Sequence, residues 1–480
     1  MDAARMGMKP AARSAIAAIA AALLSACAAQ RPDTAPQIET AAAFRHAPDG
    51  GAATVPAPAL DRWWLQFEDP DLTRLIELAL AQNLDLQAAV ARVEQARAAA
   101  GIAGAALLPR LDAQASFTAE QQSLESPLGR IGSRFPGYDR SPVLRSEALA
   151  ASWELDIGGG LRSARDQRRA EAEVAQAQQL GVRVSLVAEV ADSYFRVRGA
   201  RLRLALAERR LRDDRELLRL VLARREDGLA TLGEQAQAEA RVAQVEAGMP
   251  ALQAQIETQL NRIDVLLGVT PGSTAGRIAT STAPLRTPAL AGRLSPAELL
   301  RRRPDVVAAE RRLAAAGAGV QVARAEYYPK ASLSVLLGME SLRTGVPSGA
   351  NFQPAALLGL RWRLFDFGAI DMEVARATAA RREALLAYRQ AMLRATEDVE
   401  NGLLASSWLR AEQAALARQA EAAGRARDQA HEAYVGGAAS LMDELELERD
   451  QLDAQDRLAQ SETEAGRALV ATFRALGGGW

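Results

Sequence analysis

Aromatic residues make up only 4% of this 480-residue chain, which has one cysteine and two histidines. A single cysteine excludes an intrachain disulfide. His46 and His431 stand far apart with no carboxylates at ligand spacing, so no metal site and no cofactor is expected. A net charge of −1 leaves no basic footprint for nucleic acid. There is no phosphate-cradling glycine loop of the Walker kind and no nucleophilic triad motif, so enzyme chemistry is not expected either. Proline is absent between Pro142 and Pro250, and again from Gly368 to Gly437.

These proline-free stretches are rich in Ala, Leu, Arg, Glu and Gln, the strong helix formers. Gly158 to Gly228 would form one helix roughly 105 Å long at about 1.5 Å per residue. Gly368 to Gly437 repeats the design. Two such helices point to a tube, a rod or a coiled coil, and low aromatic content suits closely spaced helices.

At the amino terminus, Arg5, Lys9 and Arg13 precede a short apolar run, Ala15 to Leu24. The run fits a secretory signal and is too short to span a bilayer. It ends Leu24-Ser25-Ala26-Cys27, which resembles a bacterial lipobox; residues 1–26 are read as signal peptide and Cys27 as the acylated first residue. Ala28, rather than Asp, follows, which favours sorting to the outer membrane. Residues 27–60, rich in Ala, Pro and Thr, read as an extended linker.

The chain aligns with itself. Asn83-Leu84-Asp85-Leu86 matches Arg303-Pro304-Asp305-Val306, and Leu107-Leu108-Pro109-Arg110 matches Tyr327-Tyr328-Pro329-Lys330, both at an offset of 220 (303 − 83). Asp156-Ile157-Gly158 matches Asp366-Phe367-Gly368 at 210, and Gly228-Leu229-Ala230-Thr231 matches Gly437-Ala438-Ala439-Ser440 at 209. Two repeats follow, 61–270 and 296–478, with 271–295 between them. Each reads as helix, two strands, long helix and return helix, the first helix running from Arg74 to Leu108. The long helices are placed at about 158–227 and 367–436. The offset falls by ten residues between the Pro-Arg/Lys and Asp-x-Gly landmarks, where the first copy has the longer loop.

Between those landmarks the apolar period becomes two. Leu111, Ala113, Ala115, Phe117 and Ala119 alternate with Asp112, Gln114, Ser116, Thr118 and Glu120. Leu149, Ala151, Trp153, Leu155 and Ile157 do the same. So do Leu333, Val335, Leu337 and Met339, then Ala356, Leu358, Leu360, Trp362 and Leu364. Strand pairs are therefore placed within about 110–157 and 330–366, at the length of tilted membrane strands. Two soluble β-hairpins on a core would show similar alternation. Four strands cannot close a membrane barrel, and open edges in lipid are forbidden, so a barrel requires two, three or four chains.

A set of motifs resembles the outer membrane factor family, the TolC-like channel tunnels, and in particular its acylated NodT-type branch. The set is the lipobox at Cys27, Trp63-Trp64 with Phe67-x-Asp69-Pro70, Leu107-Leu108-Pro109, Trp153-Glu-Leu-Asp156-Ile-Gly158, Leu299-Leu300-Arg-Arg-Arg-Pro304-Asp305-Val306 and Trp362-x-Leu364-Phe365-Asp366-x-Gly368. The resemblance implies a mixed α and β fold: a homotrimeric outer-membrane β-barrel, four strands per chain, continuous with a long periplasmic α-helical barrel. It implies a passive exit duct of a tripartite efflux system. The partners would be a periplasmic adaptor, an inner-membrane transporter of the proton-driven kind, and outer-membrane lipid. Residues 271–295 and the C-terminal end would build an equatorial belt. An acylated coiled-coil scaffold or adaptor without a pore is the rival reading; sustained heptads without membrane strands would mark it.

The resemblance also assigns sites. Arg225, Gly228 and Thr231, with Tyr434, Gly437 and Ser440, fall at tips that would meet an adaptor. Thr231 and Ser440 equally suit N-caps of the following helices. Asp443 and Glu446 align with an acidic pair ringing a periplasmic constriction, with Glu234 and Gln237 at the matching places of the first copy. Such a ring would favour cations and raise some carboxylate pKa values by repulsion. A solvated acidic helix face would look similar, and His431 nearby reads as a surface residue.

Overall fold

A computed structural model describes residues 43–46, 60–274, 287–288, 296–342 and 349–480. Cys27, the signal region and most of 271–295 lie outside the described residues. After a 3-10 turn (Trp63–Phe67), the first repeat carries α1 (Pro70–Gln82), α2 (Leu84–Ala105), β1 (Arg110–Ala119), a short helix α3 (Pro127–Gly132), β2 (Val143–Leu155), α4 (Gly160–Glu226) and α5 (Leu232–Leu266). The second carries α6 (Pro296–Arg302), α7 (Pro304–Ala325), β3 (Lys330–Ser341), β4 (Phe352–Arg361), α8 (Ala369–Val435) and α9 (Leu441–Ala475). The copies match closely: α4 and α8 are both 67 residues, and α5 and α9 both 35. At about 1.5 Å per residue each long helix spans roughly 100 Å.

The single first helix expected from Arg74 to Leu108 is instead two, α1 and α2, broken at Asn83. Asn83 takes extended backbone (φ −60, ψ 127) and caps α2 by accepting from Leu86 N at 2.8 Å. Its Nδ2 also donates to the Leu266 carbonyl at 2.9 Å. The repeat carries a signal for this break, because Pro304 matches Leu84 and both open a 22-residue helix at its first position. At the matching site, buried Arg303 donates to the Ala475 carbonyl at 3.0 Å and pairs with Asp305 and Asp398 at 2.7 and 2.8 Å.

The strands form one antiparallel sheet in the order β1-β2-β3-β4. Its register puts Leu111 opposite Ala151, Leu149 opposite Leu337, Trp153 opposite Leu333, and Leu333 opposite Leu358. All four apolar faces therefore coincide on one side, and many of those side chains are exposed. Asp112, Gln114, Ser116, Glu154, Ser332 and Ser334 share the other side. β1 and β4 are edges. The fourth strand ends at Arg361, so Trp362 and Leu364 lie beyond it. Trp153 and Trp362 donate their indole N–H to the carbonyls of Leu107 and Tyr327, both at 2.9 Å, tying each repeat's sheet to the end of its preceding helix.

The offset change from 210 to 209 is also resolved. Gly159 and Gly368 are the helix N-caps, at an offset of 209, so the extra glycine between Asp156 and α4 absorbs one residue. Asp156 accepts from Leu161 N and Asp366 from Ile370 N, at 2.9 and 3.0 Å. The main core gathers Trp63, Trp64 and Phe67 against Phe195 and Phe473; Trp63 stacks on Phe473 at 5.1 Å. Asp69 caps α1 and accepts from the Tyr194 hydroxyl at 2.7 Å and Arg198 at 3.2 Å. The Phe67-x-Asp69-Pro70 motif therefore docks the amino-terminal segment onto α4.

Candidate functional site at the helical tips

Both long helices turn back through the same device. Gly228 and Gly437 have φ of +74 and +76, which L side chains rarely adopt. Gly228 N donates to Arg225 O at 3.0 Å and Leu229 N to Arg224 O at 2.7 Å. Gly437 N donates to Tyr434 O at 2.9 Å and Ala438 N to Ala433 O at 2.8 Å. These paired bonds satisfy the last carbonyls of each helix in a Schellman arrangement.

The return helices start on capping boxes. Thr231 Oγ1 accepts from Glu234 N at 3.1 Å, and Glu234 accepts from Thr231 N at 2.6 Å. Ser440 Oγ accepts from Asp443 N at 3.2 Å, and Asp443 accepts from Ser440 N at 3.0 Å. The hydroxyls of Thr231 and Ser440 are therefore committed to capping. Hydrogen bonds from Ser440 and Thr231 lower the pKa of Asp443 and Glu234 below the usual carboxylate range. Within one chain, Asp443 thus departs from the upward shift expected of an acidic ring, because the cap favours its charged form.

Asp443 and Glu446 lie on the exposed side of the first two turns of α9, and Gln237 is exposed on α5. Glu446 reaches Arg241 of α5 at 3.6 Å, an ion pair between the two return helices. Arg225 hydrogen-bonds Gln235, closing its own hairpin. His431, half-exposed, meets Glu444 at 2.6 Å. Leu229, Leu232 and Val435 expose 66 to 73% of their area around the turns. No periodicity marks these apolar groups in the sequence; their place beside the two turn glycines is the available signal. Met442 and Leu445 of α9 pack on a small cluster of Leu217, Val221 and Ala238, joining the hairpins above the tips.

Higher up, α4 and α9 are stitched by ion pairs: Asp192–Arg467 at 2.7 Å, Arg203–Asp456 at 2.8 Å, Arg209–Glu448 at 2.5 Å and Arg210–Asp453 at 2.5 Å. Asp213 sits among them. Burial, then the charge of Glu448, pushes its pKa up to about 6, and its Oδ2 is buried without a hydrogen-bond partner. Periodicity does not reveal this seam, because it joins helices more than 200 residues apart.

Comparison with known proteins matches both repeats and the fold. The profile described as "Outer membrane efflux protein" matches residues 75–269 and 295–478, both repeats. The pyoverdine export outer membrane protein OpmQ of Pseudomonas putida is 37% identical over 87% of this chain and 88% of its own. Outer membrane protein OprJ of Pseudomonas aeruginosa is 31% identical over 90% of this chain and 89% of its own. Among solved structures, the outer-membrane channel OprN is 34% identical with a TM-score of 0.75, covering 93% of this chain and 99% of that one. The Vibrio cholerae outer membrane protein VceC is 28% identical with a TM-score of 0.76, over 87% and 99%. Matched in both repeats and in fold, the chain belongs to the outer membrane efflux protein family, as an outer-membrane exit duct built of β-barrel strands and periplasmic helices.

Proposed function

We propose that three copies of this chain close one duct, acylated at Cys27 and engaged at its tips by a periplasmic adaptor and an inner-membrane, proton-driven transporter. One observation carries the reading. The sheet has a single apolar face and two open edges, which lipid tolerates only if other chains pair them. The duplication says how. Long helix α4 packs on α2 and α5 of its own repeat and on α7 and α9 of the other. Its counterpart α8 packs chiefly on α7 and α9. The matching neighbours of α8 are α2 and α5 of the next chain. Leu386, Leu393, Leu404 and Trp408 of α8, all exposed and spaced along one helical face, are the surface left for them. The count of three comes from the family.

In this trimer, Asp443 and Glu446, with Glu234 and Gln237, line the periplasmic aperture. The turns at Arg225, Gly228 and Thr231 and at Tyr434, Gly437 and Ser440 present Leu229, Leu232 and Val435 to the adaptor. Chemistry is left to the energised partners; the duct holds a pore. The relatives are named for pyoverdine, solvent and toluene, which supports a shared, unselective wall with cargo chosen upstream. Single-channel recording in a planar lipid bilayer tests the reading. Small, cation-preferring steps are expected, with weaker cation preference after Asp443→Asn and Glu446→Gln. Protein that folds but never enters the bilayer would sink the duct and revive the scaffold.

A further inference from the structure

The duct leaves one folded element unused. The β1–β2 connection lies at the end of the sheet away from the helices, since β1 enters from α2 and β2 leaves into α4. It is the longer of the two hairpin loops, and it is built rather than slack. Gln122 N donates to Arg140 O at 2.8 Å and Arg140 Nε to Gln122 O at 3.0 Å, clamping its base. Ser126 caps α3, accepting from Gly129 N at 3.1 Å. A side chain at Gly129 would overlap the Ser123 carbonyl, so the helix presses tightly on its own base.

The clamp points apolar groups outward. Leu128 and Ile131, three apart on one face of α3, and Phe135 in the turn just beyond it are each 59 to 66% exposed. Between them stand Arg130 and Arg134, and neither has an ion-pair partner among the described residues. The segment from Ser126 to Pro136 holds no acid. Depth follows from register. Trp153 marks the helix-side end of the sheet, and Arg145 lies eight residues along β2 (153 − 145). At about 3.3 Å per residue and about 40° tilt, that is roughly 20 Å of an apolar band about 25 Å tall. Glu147 and Arg145 both share the apolar face, opposite Ala115 and Phe117, and pair with each other. Charge thus returns to the lipid-facing side from Glu147 upward, with Arg145 at the height of the outer headgroups, and the loop begins two residues above Arg145. The apolar face of the loop continues the apolar face of the barrel at the level where lipid phosphates lie.

We propose that this loop is a lipid foot, in which Leu128, Ile131 and Phe135 enter the outer-leaflet headgroup layer while Arg130 and Arg134 bind phosphate groups of the lipids there. The proposal rests on the barrel reading. Detergent-purified oligomers of the full chain are given mixed micelles of phosphatidylglycerol and phosphatidylcholine, and retained lipids are weighed by native mass spectrometry. The parent should retain phosphatidylglycerol preferentially, in a salt-sensitive way, and Arg130→Glu with Arg134→Glu should cut that preference roughly tenfold or more. Equal preference in parent and variant overturns the proposal. High-yield disulfides between chains carrying Phe135→Cys overturn it too, because the loops would then meet each other across the mouth. Bilayer conductance of the same proteins is read alongside: channels that persist while lipid preference does not change remove the foot and leave the duct standing.

Discussion

The seam inside one chain and the seam that the repeat reserves for the next chain are built on the same helices but not the same chemistry. Inside the chain, four Arg–acid pairs join α4 to α9. Shifting each partner by 209 gives the matching positions between α8 and α5: Asn401 and Thr258, Glu412 and Ala247, Arg418 and Glu239, Gln419 and Gln244. Only Arg418 and Glu239 keep opposite charges. The outer seam is left to apolar contact along Leu386, Leu393, Leu404 and Trp408. Partly exposed ion pairs contribute about 0.2–1 kcal/mol each, more when networked, whereas a buried large apolar side chain contributes about 1.5–3 kcal/mol. In the proposed trimer, a duplicated backbone therefore has one seam tied by charge within the chain and another offered to apolar burial between chains.

The largest effect expected is on the apolar seam. Trp408→Asp should shift the purified protein from trimer toward monomer on gel filtration, because a carboxylate would be buried unpaired. A variant that stays fully trimeric would move Trp408 out of the interface. Next is the charged seam: Arg209→Ala strands Glu448 beside half-buried Asp213 and should cost about 1–2 kcal/mol by denaturant unfolding. It should also raise channel conductance as the hairpins loosen; unchanged conductance would mean that this seam does not hold the tip.

A smaller effect has a definite pH sign. Asp213 has a folded pKa of about 6, above its unfolded value, so it disfavours the folded state at neutral pH and that cost fades as pH falls toward 4. Asp213→Asn should therefore stabilise by about 1 kcal/mol at pH 7 and by almost nothing near pH 4. A gain that is the same at both values would place the cause outside this titration. The smallest expected change is at Arg418. Arg418→Glu should weaken the trimer slightly, and adding Glu239→Arg should restore it. Failure of the second change to rescue the first would show that the copies do not pack by the same shift.

Much of this was legible in the residues. Proline-free runs set the long helices to within two residues, and period-two alternation placed all four strands. The break in the first helix is not legible, because continuous apolar spacing hides a break made by one polar side chain, Asn83, whose second bond reaches Leu266. Tip roles were half legible: the glycines announced positive φ, but Asp443 and Glu234 turned out to be capping acids as well as aperture candidates.

The sequence by itself determined the duplication, the helix lengths, the strand faces and the turn chemistry, because propensity and periodicity act between residues close in the chain. The tertiary structure decided which surfaces are spent and which remain open: the Arg–acid seam, the docked Phe67-x-Asp69-Pro70 motif, the bare stripe of α8 and the outward face of the β1–β2 loop. Those depend on groups far apart in sequence brought within a few ångströms, where desolvation and pairing act on distance alone.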